Sequence, residues 1–142
     1  MRDATRQPSG TSAGLWTITL GALDEKLGIV VLEQSAELVV ATMPVIGNTQ
    51  SLGRLHGGAT AAFAEALGSW AAMIHASTTG RVCVGVDLNI THHRGATSGA
   101  IRGTATALHL GSRTATHEIR VESEEGHLLA TARITNMLID RP

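Results

Sequence analysis

The second half of the chain alternates apolar and polar residues with a period of two, which predicts β-strands. Between residues 84 and 91, Val84, Val86, Leu88 and Ile90 alternate with Gly, Asp, Asn and Thr, the pattern of a half-buried strand. Further strands are predicted over residues 100–109, 113–122 and 127–139, with tight corners at 110–112 and 124–126. The pattern therefore indicates a four-stranded antiparallel meander.

The first half of the chain has a different pattern, with two short strands and one long helix. A short helix or turn is predicted at residues 22–26, followed by strands at 28–33 and 36–43, the second ended by Pro44. Residues 57–76 are rich in Ala, with Leu, Met, Phe and Trp among them, and predict a helix of about five turns. The order of elements indicates an α+β domain over residues 15–142, after a loose leader at 1–14.

Composition narrows the class of protein. The 142 residues are 43% hydrophobic, enough for the core of one domain. Aromatic residues are 2% and the net charge is -1 with no basic run, which argues against nucleic acids and anionic membranes as partners. The single cysteine, Cys83, excludes an internal disulfide and paired-cysteine zinc sites. Because no secretory signal or membrane span is evident, we expect a soluble, cytoplasmic protein.

Glu65 is the one formally charged side chain between residues 55 and 80. No Lys or Arg lies three or four residues away, so it has no ion-pair partner within the helix. Burying an unpaired carboxylate costs several kcal/mol, which suggests a catalytic use. The alternative is a solvated carboxylate at the rim. Ser69, four residues later, is placed to hold a water or orient Glu65, or to bond back to the helix backbone.

The start of the helix carries a second candidate group. His56-Gly57-Gly58 opens the helix, where backbone N–H groups have no intrahelical partners and glycine permits close approach of a ligand oxygen. Such a donor suits a carbonyl oxygen that gains negative charge during acyl transfer, and is typically worth about 2.7–4 kcal/mol. Gln50 is a second candidate donor. The alternative is an ordinary glycine-rich junction in which Gln50 ties down its own loop.

The distance between these two groups predicts a dimer. Glu65 lies eight residues after Gly57, about 12 Å along a helix axis, of which side-chain tilt recovers about 4 Å. Both groups therefore cannot act on one carbonyl from a single chain. A catalytic interpretation requires two copies, with active sites at their interface.

Four segments together resemble the hotdog-fold acyl-CoA thioesterases. They are residues 50–58 (QSLGRLHGG), 65–69 (EALGS), 84–94 (VGVDLNITHHR) and 109–113 (HLGSR), and the resemblance extends over about residues 28–139. The branch that they resemble most contains the Arthrobacter-type 4-hydroxybenzoyl-CoA and phenylacetate-pathway thioesterases. Arg54 departs from the pattern, at a position where an apolar residue is expected.

The resemblance implies a fold and a mechanism. The fold would be a six-stranded antiparallel sheet wrapped around the helix, paired as a dimer and often as a homotetramer. Glu65 would attack the thioester carbonyl or activate water, and Ser69 would handle that water. The Gly57 amide of the partner, assisted by Gln50 and His56, would polarise the carbonyl.

The resemblance also implies a coenzyme A site and a metal-free reaction. The residues that would contact the coenzyme A moiety of an acyl-CoA substrate are His92, Arg94, Ser112 and Arg113. No metal or organic cofactor is expected. Two alternatives remain at this point: a hydratase or dehydratase of enoyl- or hydroxyacyl-CoA on the same fold, and a noncatalytic acyl-CoA-binding dimer. The acyl group itself is not determined by the sequence.

Overall fold

The computed structural model describes residues 15–142, so the predicted leader at 1–14 lies outside the described residues. Two helices and six strands follow one another in the described chain. Their bounds are α1 Ala22–Leu27, β1 Val30–Gln34, β2 Leu38–Pro44, α2 Gly57–Ser77, β3 Val82–His92, β4 Ala100–Leu110, β5 Thr114–Ser123 and β6 Leu128–Ile139. The predicted elements are confirmed, with boundaries that move by at most two residues.

The six strands form one antiparallel sheet in the order β1-β2-β4-β5-β6-β3. The predicted four-stranded meander is wrong for β3, which pairs with β6 and not with β4, so that only β4, β5 and β6 follow one another in the sheet. Helix α2 lies against one face of this sheet and contacts β2 to β6. The sheet therefore wraps around a single long helix, which confirms the α+β class and the hotdog architecture.

The core lies between α2 and the sheet and explains why the helix can approach so closely. Phe63 and Leu67 are fully buried over Gly103 of β4, where an added Cβ would lie 2.6 Å from both side chains. Gly68 of the helix likewise leaves room for the side chain of Ile134 on β6. A side chain at either glycine would force the helix away from the sheet, since packed interiors have few voids.

Strand β3 departs from the alternation that its sequence predicts. Gly85 pairs with Asn136 and Asp87 pairs with Thr135, so Val86 is an extra residue in a β-bulge. A bulge shifts the side-chain alternation by one position. Leu88 and Ile90 accordingly pack against the core, whereas Val84 and Val86 are exposed. The prediction that all four share a buried face is wrong for the two valines.

Strand β3 is also one edge of the sheet. Its eleven residues pair with β6 on one side and with no strand of the described chain on the other. A long edge with free N–H and C=O groups is a template for pairing with another strand. Among residues 15–142, no helix combines the length and the apolarity that crossing a bilayer requires.

Candidate active site

The first turn of α2 presents a backbone donor. His56 is the N-cap residue, and its Nδ1 accepts a hydrogen bond from the Gly58 N–H at 2.8 Å. Since Nδ1 is the acceptor, the proton of the neutral ring lies on Nε2. The Gly57 N–H has no hydrogen-bond partner among residues 15–142. The Gly57 N–H is therefore an unpaired amide at the positive end of the helix dipole.

Gly57 lies on the wall of a cleft of about 340 Å³, which we call the α2 cleft. The same cleft is lined by Gln50, His92 and Arg94. His92, at the end of β3, stands directly against Gly57, with its Nε2 3.2 Å from where a Cβ on that glycine would lie. The absence of a side chain at residue 57 thus keeps the amide accessible beside the His92 ring. The structure brings together four of the residues that the sequence singled out.

Gln50 has a defined orientation in the loop before α2. Its Oε1 accepts hydrogen bonds from the N–H groups of Leu52, at 2.5 Å, and Arg54, at 3.3 Å. The carboxamide therefore ties down its own loop with its oxygen and leaves its Nε2 protons to donate. The two uses considered for Gln50 are compatible, because they involve opposite ends of the amide.

Arg54 lies beside the α2 cleft. Its Cδ is 3.3 Å from where a Cβ on Gly95 would lie, next to Arg94, and Arg54 itself is exposed. The two arginines place two positive charges at the rim of the cleft. An arginine at residue 54 therefore adds charge at this rim.

Glu65 lies further along α2, where the bulge of β3 leaves space. Its side chain is exposed in the single chain and forms no salt bridge within residues 15–142. Its Oε1 is 3.0 Å from where a Cβ on Gly85 would lie. We call this space above Gly85 the Gly85 notch. Because the bulge turns Gly85 and not a valine toward the helix, the carboxylate can rest beside the β3 edge.

Ser69 is held against the same part of the sheet by two contacts. Its hydroxyl donates to Oδ1 of Asn136, at 3.3 Å, and its carbonyl oxygen accepts from the Cys83 thiol, at 3.6 Å. Burial raises the pKa of that thiol to about 11, so it stays protonated and donates. The back-bond from Ser69 to its own helix, considered as the alternative, is replaced by the bond to β6.

Gly85 and Asn136 are candidate site residues that the sequence did not identify. The alternation in β3 assigned Gly85 to the polar face, so the sequence carries no signal for its role. Asn136 has a signal. It is the polar member of an inward series on β6 that otherwise consists of apolar residues, namely Ala130, Ala132, Ile134 and Leu138.

Ser112 and Arg113 lie apart from the other predicted residues within one chain. They form the β4–β5 corner, which contacts the C-terminal end of α2 through a 2.7 Å hydrogen bond from His75 Nε2 to the Gly111 carbonyl. The carbonyl of Ser112 accepts from Arg81, at 2.7 Å. The α2 cleft lies at the other end of a helix about 30 Å long.

Comparison with known proteins gives the family. Residues 52–130 match the family model of the thioesterase superfamily, and this match includes α2 with Gly57 and Glu65. The proofreading thioesterase EntH of Cronobacter sakazakii is 38% identical over 130 residues, covering 91% of this chain and 94% of that protein.

Solved structures agree in fold. A Pseudomonas aeruginosa thioesterase with a Gln-to-Ala substitution superposes with a TM-score of 0.78 at 36% identity, covering 82% of this chain and 85% of that one. A Staphylococcus aureus thioesterase with a Gln-to-Ala substitution has a TM-score of 0.79 at 28% identity, covering 83% and 98%. The same protein with a Glu-to-Ala substitution gives 0.79 at 30%, covering 82% and 98%.

The fold, the match over α2 and these relatives all agree, and we conclude that the chain belongs to the thioesterase superfamily, whose activity is the hydrolysis of thioesters.

Proposed function

We propose that the protein hydrolyses an acyl-CoA thioester to a carboxylic acid and coenzyme A, with Glu65 as the reacting carboxylate. The observation that carries this proposal is the position of Glu65. It is the one charged side chain on α2, and it lies in the Gly85 notch without an ion-pair partner among residues 15–142. A carboxylate free of cationic partners is available as a base or nucleophile.

The donors at the start of α2 would stabilise the charge that develops on the carbonyl oxygen. The Gly57 N–H has no partner within residues 15–142, and the bonds that hold the loop use only the Oε1 of Gln50, which leaves its Nε2 protons to donate. The His56 ring carries its neutral-form proton on Nε2, so it is a third candidate donor. Donors fixed in this way need no reorganisation during the reaction, which makes them effective in acyl transfer.

The spacing of substituted residues in a relative supports this assignment. In the Staphylococcus aureus thioesterase, the substituted Gln and Glu occupy positions 32 and 47, fifteen apart. Gln50 and Glu65 are also fifteen residues apart.

The chemical step balances with water as the co-substrate. Water oxygen bonds to the thioester carbon while one proton passes to Glu65, giving a tetrahedral oxyanion held by the donors. The carbon–sulfur bond then breaks, and the coenzyme A thiolate takes the proton from Glu65. In the alternative, Glu65 attacks the carbon itself and the carbon–sulfur bond breaks, which gives an anhydride and the coenzyme A thiolate. Water then hydrolyses the anhydride, which releases the acid and restores the Glu65 carboxylate, and a proton of that water passes to the thiolate. Neither route requires a metal or organic cofactor.

Each proposed site takes groups from two copies of the chain. Glu65 and Gly57 are about 12 Å apart along one helix, so one chain cannot bring both to one carbonyl. The free edge of β3 lies beside Glu65, and pairing of two such edges would form a dimer around the sites. The Ser112–Arg113 corner of a neighbouring copy could then reach coenzyme A together with His92 and Arg94.

The test is a panel of acyl-CoA thioesters, including aromatic and medium-chain acyl groups, with thiol release as the readout. We expect turnover of at least one member, and loss of at least about 10²-fold in kcat for Glu65→Gln, which keeps the shape and removes the base. Full activity of Glu65→Gln would contradict the role of Glu65. Hydration of an enoyl-CoA without thiol release would identify a hydratase, and binding without any reaction would identify a noncatalytic protein.

Mixing two inactive variants tests the shared site. In a heterodimer of Glu65→Gln and Gly57→Pro chains, one site loses both groups and the other keeps both. Random exchange of subunits should therefore restore about a quarter of wild-type activity. Each variant alone is the control. No recovery on mixing, with subunit exchange verified by tagged chains, would place the site within a single chain.

Dialysis against EDTA tests the expectation of a metal-free reaction. We expect an unchanged rate, because the proposed steps use only water and side chains. Within residues 15–142, no three His, Cys, Asp or Glu side chains are grouped as metal ligands. A rate that EDTA abolishes and a divalent cation restores would contradict the proposed mechanism.

A further inference from the structure

Asn136 is a polar side chain at a position where the fold calls for an apolar one. It is fully buried on β6, between Ile134 and Leu138 on the face that packs against α2. Its Oδ1 accepts a hydrogen bond from the Ser69 hydroxyl, and its Nδ2 has no hydrogen-bond partner among residues 15–142. A buried donor without a partner lowers stability, so an amide retained here calls for an explanation other than stability.

Asn136 also borders the Gly85 notch. It pairs with Gly85 in the register of β3 and β6. The point where a Cβ on Gly85 would lie is 3.0 Å from Glu65 Oε1 and 3.7 Å from Asn136 Oδ1. The buried amide and the carboxylate thus both border the Gly85 notch, and Ser69 is joined to it through its hydrogen bond to Asn136.

The direction of the hydrogen bond decides what Ser69 offers to that space. A hydroxyl has one proton and two lone pairs, and Ser69 gives its proton to Asn136. Toward Glu65 the serine is then only an acceptor. A water molecule between them would have one proton accepted by Ser69 and the other by Glu65, which leaves a lone pair of the water free to attack.

We propose that Asn136 is a positioning residue of this active site, which takes the Ser69 proton and so makes Ser69 an acceptor for the hydrolytic water. Without Asn136, the Ser69 hydroxyl is free to donate to Glu65, four residues away on the same helix face, and it then competes with the water. This inference rests on the proposed function, since it concerns the water that Glu65 activates.

The test is a double-mutant cycle with Asn136→Leu and Ser69→Ala, measured as kcat and KM on a thioester that the wild type hydrolyses. In Asn136→Leu, misplacement of the water should lower kcat between about 10- and 100-fold, whereas KM should stay within about twofold of the wild-type value. Because Asn136 acts through Ser69, the double variant should be no slower than the slower single variant. Asn136→Ala repeats the cycle if the leucine variant fails to fold.

Ile134→Val is the matched control. Ile134 is buried on the same face of β6, two residues from Asn136, and contacts α2 at Gly68. We expect this variant to lower the Tm without changing kcat. The proposal would be overturned if Asn136→Leu changed kcat no more than Ile134→Val does. It would also be overturned if the loss of kcat in the double variant equalled the product of the losses in the two single variants.

A measurement without turnover separates this inference from the proposed function. The NMR signals of the Asn136 side-chain amide should differ in chemical shift between the wild type and the Ser69→Ala variant. Signals that do not move would overturn the Asn136–Ser69 contact. A wild type that hydrolyses no thioester contradicts the proposed function instead, and it also overturns the positioning role.

Discussion

The start of α2 and its middle provide the two halves of the proposed chemistry in different ways. At the start, the donor is a backbone N–H, and its availability depends on local features, namely a glycine at residue 57 and a His56 cap. In the middle, the carboxylate of Glu65 depends on a bulge in β3 and a buried amide on β6, far away in sequence. The electrophile site is therefore local, and the base site depends on tertiary structure.

The two regions also differ in how much of each a single chain supplies. Gln50, Gly57, His92 and Arg94 already line one cleft. Glu65, by contrast, lies exposed next to an edge of the sheet that no other strand of residues 15–142 covers. Half of the proposed site is thus formed within one chain, whereas the other half would be enclosed by the second copy of the proposed dimer.

The largest effect is expected at the start of the helix, from Gly57→Pro. Proline removes the amide proton, yet it is well tolerated at the first position of a helix, and His56 already has the extended backbone that precedes proline. We expect kcat to fall about 10²- to 10³-fold, the usual cost of one oxyanion donor. Steady-state kinetics of thiol release is the measurement.

Gly57→Ala is the control for this variant. It introduces the same contact with His92 but keeps the N–H. If the alanine variant is as slow as the proline variant, crowding at the cleft, and not the amide, explains the loss.

In the middle of the helix, Gly85→Ala is expected to have the next largest effect. The new methyl group would lie 3.0 Å from Glu65 Oε1 and displace the carboxylate. We expect kcat to fall between about 10- and 100-fold, because small misplacements of a reacting group are costly. The control is Asn89→Ala, at an exposed position of the same strand. Equal kcat values for the two variants would contradict the proposal that the Gly85 notch positions the Glu65 carboxylate.

Variants of His56, at the start of the helix, distinguish its role as a helix cap from a role in catalysis. His56→Ala should lower the free energy of unfolding by about 1 kcal/mol, as for other lost caps. His56→Asn restores an acceptor for Gly58 but not the ring Nε2 proton, so it should recover stability more than kcat. Urea unfolding and kinetics on the three proteins measure both quantities. Full recovery of kcat by Asn would exclude catalysis by the ring.

The smallest effect is expected outside both regions, at His117 in the core of β5. Burial lowers the pKa of His117, and its Nε2 donates to the Ala36 carbonyl at 2.8 Å. Since the unfolded state then binds the proton more readily, stability should fall as the pH drops below about 6.5. His117→Gln keeps a donor without titrating, so its unfolding free energy should depend less on pH over that window. If the unfolding free energies of the wild type and of His117→Gln depended equally on pH, His117 would not be the group responsible.

The elements of the fold were predictable because their signals are local. The composition of residues 57–76 predicted α2, and the two-residue period predicted the strands and corners of the meander. The long apolar helix with one carboxylate also pointed to Glu65, and the glycines at the helix start pointed to Gly57.

The surroundings of Glu65 were not predictable, because they depend on pairing between distant strands. Strict alternation in β3 placed Val84 and Val86 toward the helix, and only the pairing with β6 reveals Val86 as an extra residue. Ser69 was identified, but its partner lies 67 residues later on another strand. The shift of a single residue in register decided which side chain meets the carboxylate.

The bulge at Val86 has a consequence for the mutational tolerance of β3. On its N-terminal side the odd-numbered positions, Cys83 and Gly85, face the helix, whereas after it the even-numbered positions, Leu88 and Ile90, do so. A saturation library of this strand should therefore show two interleaved patterns of sensitivity that exchange parity at residue 86. Alignments of this segment that ignore the exchange would compare positions lying on opposite sides of the sheet.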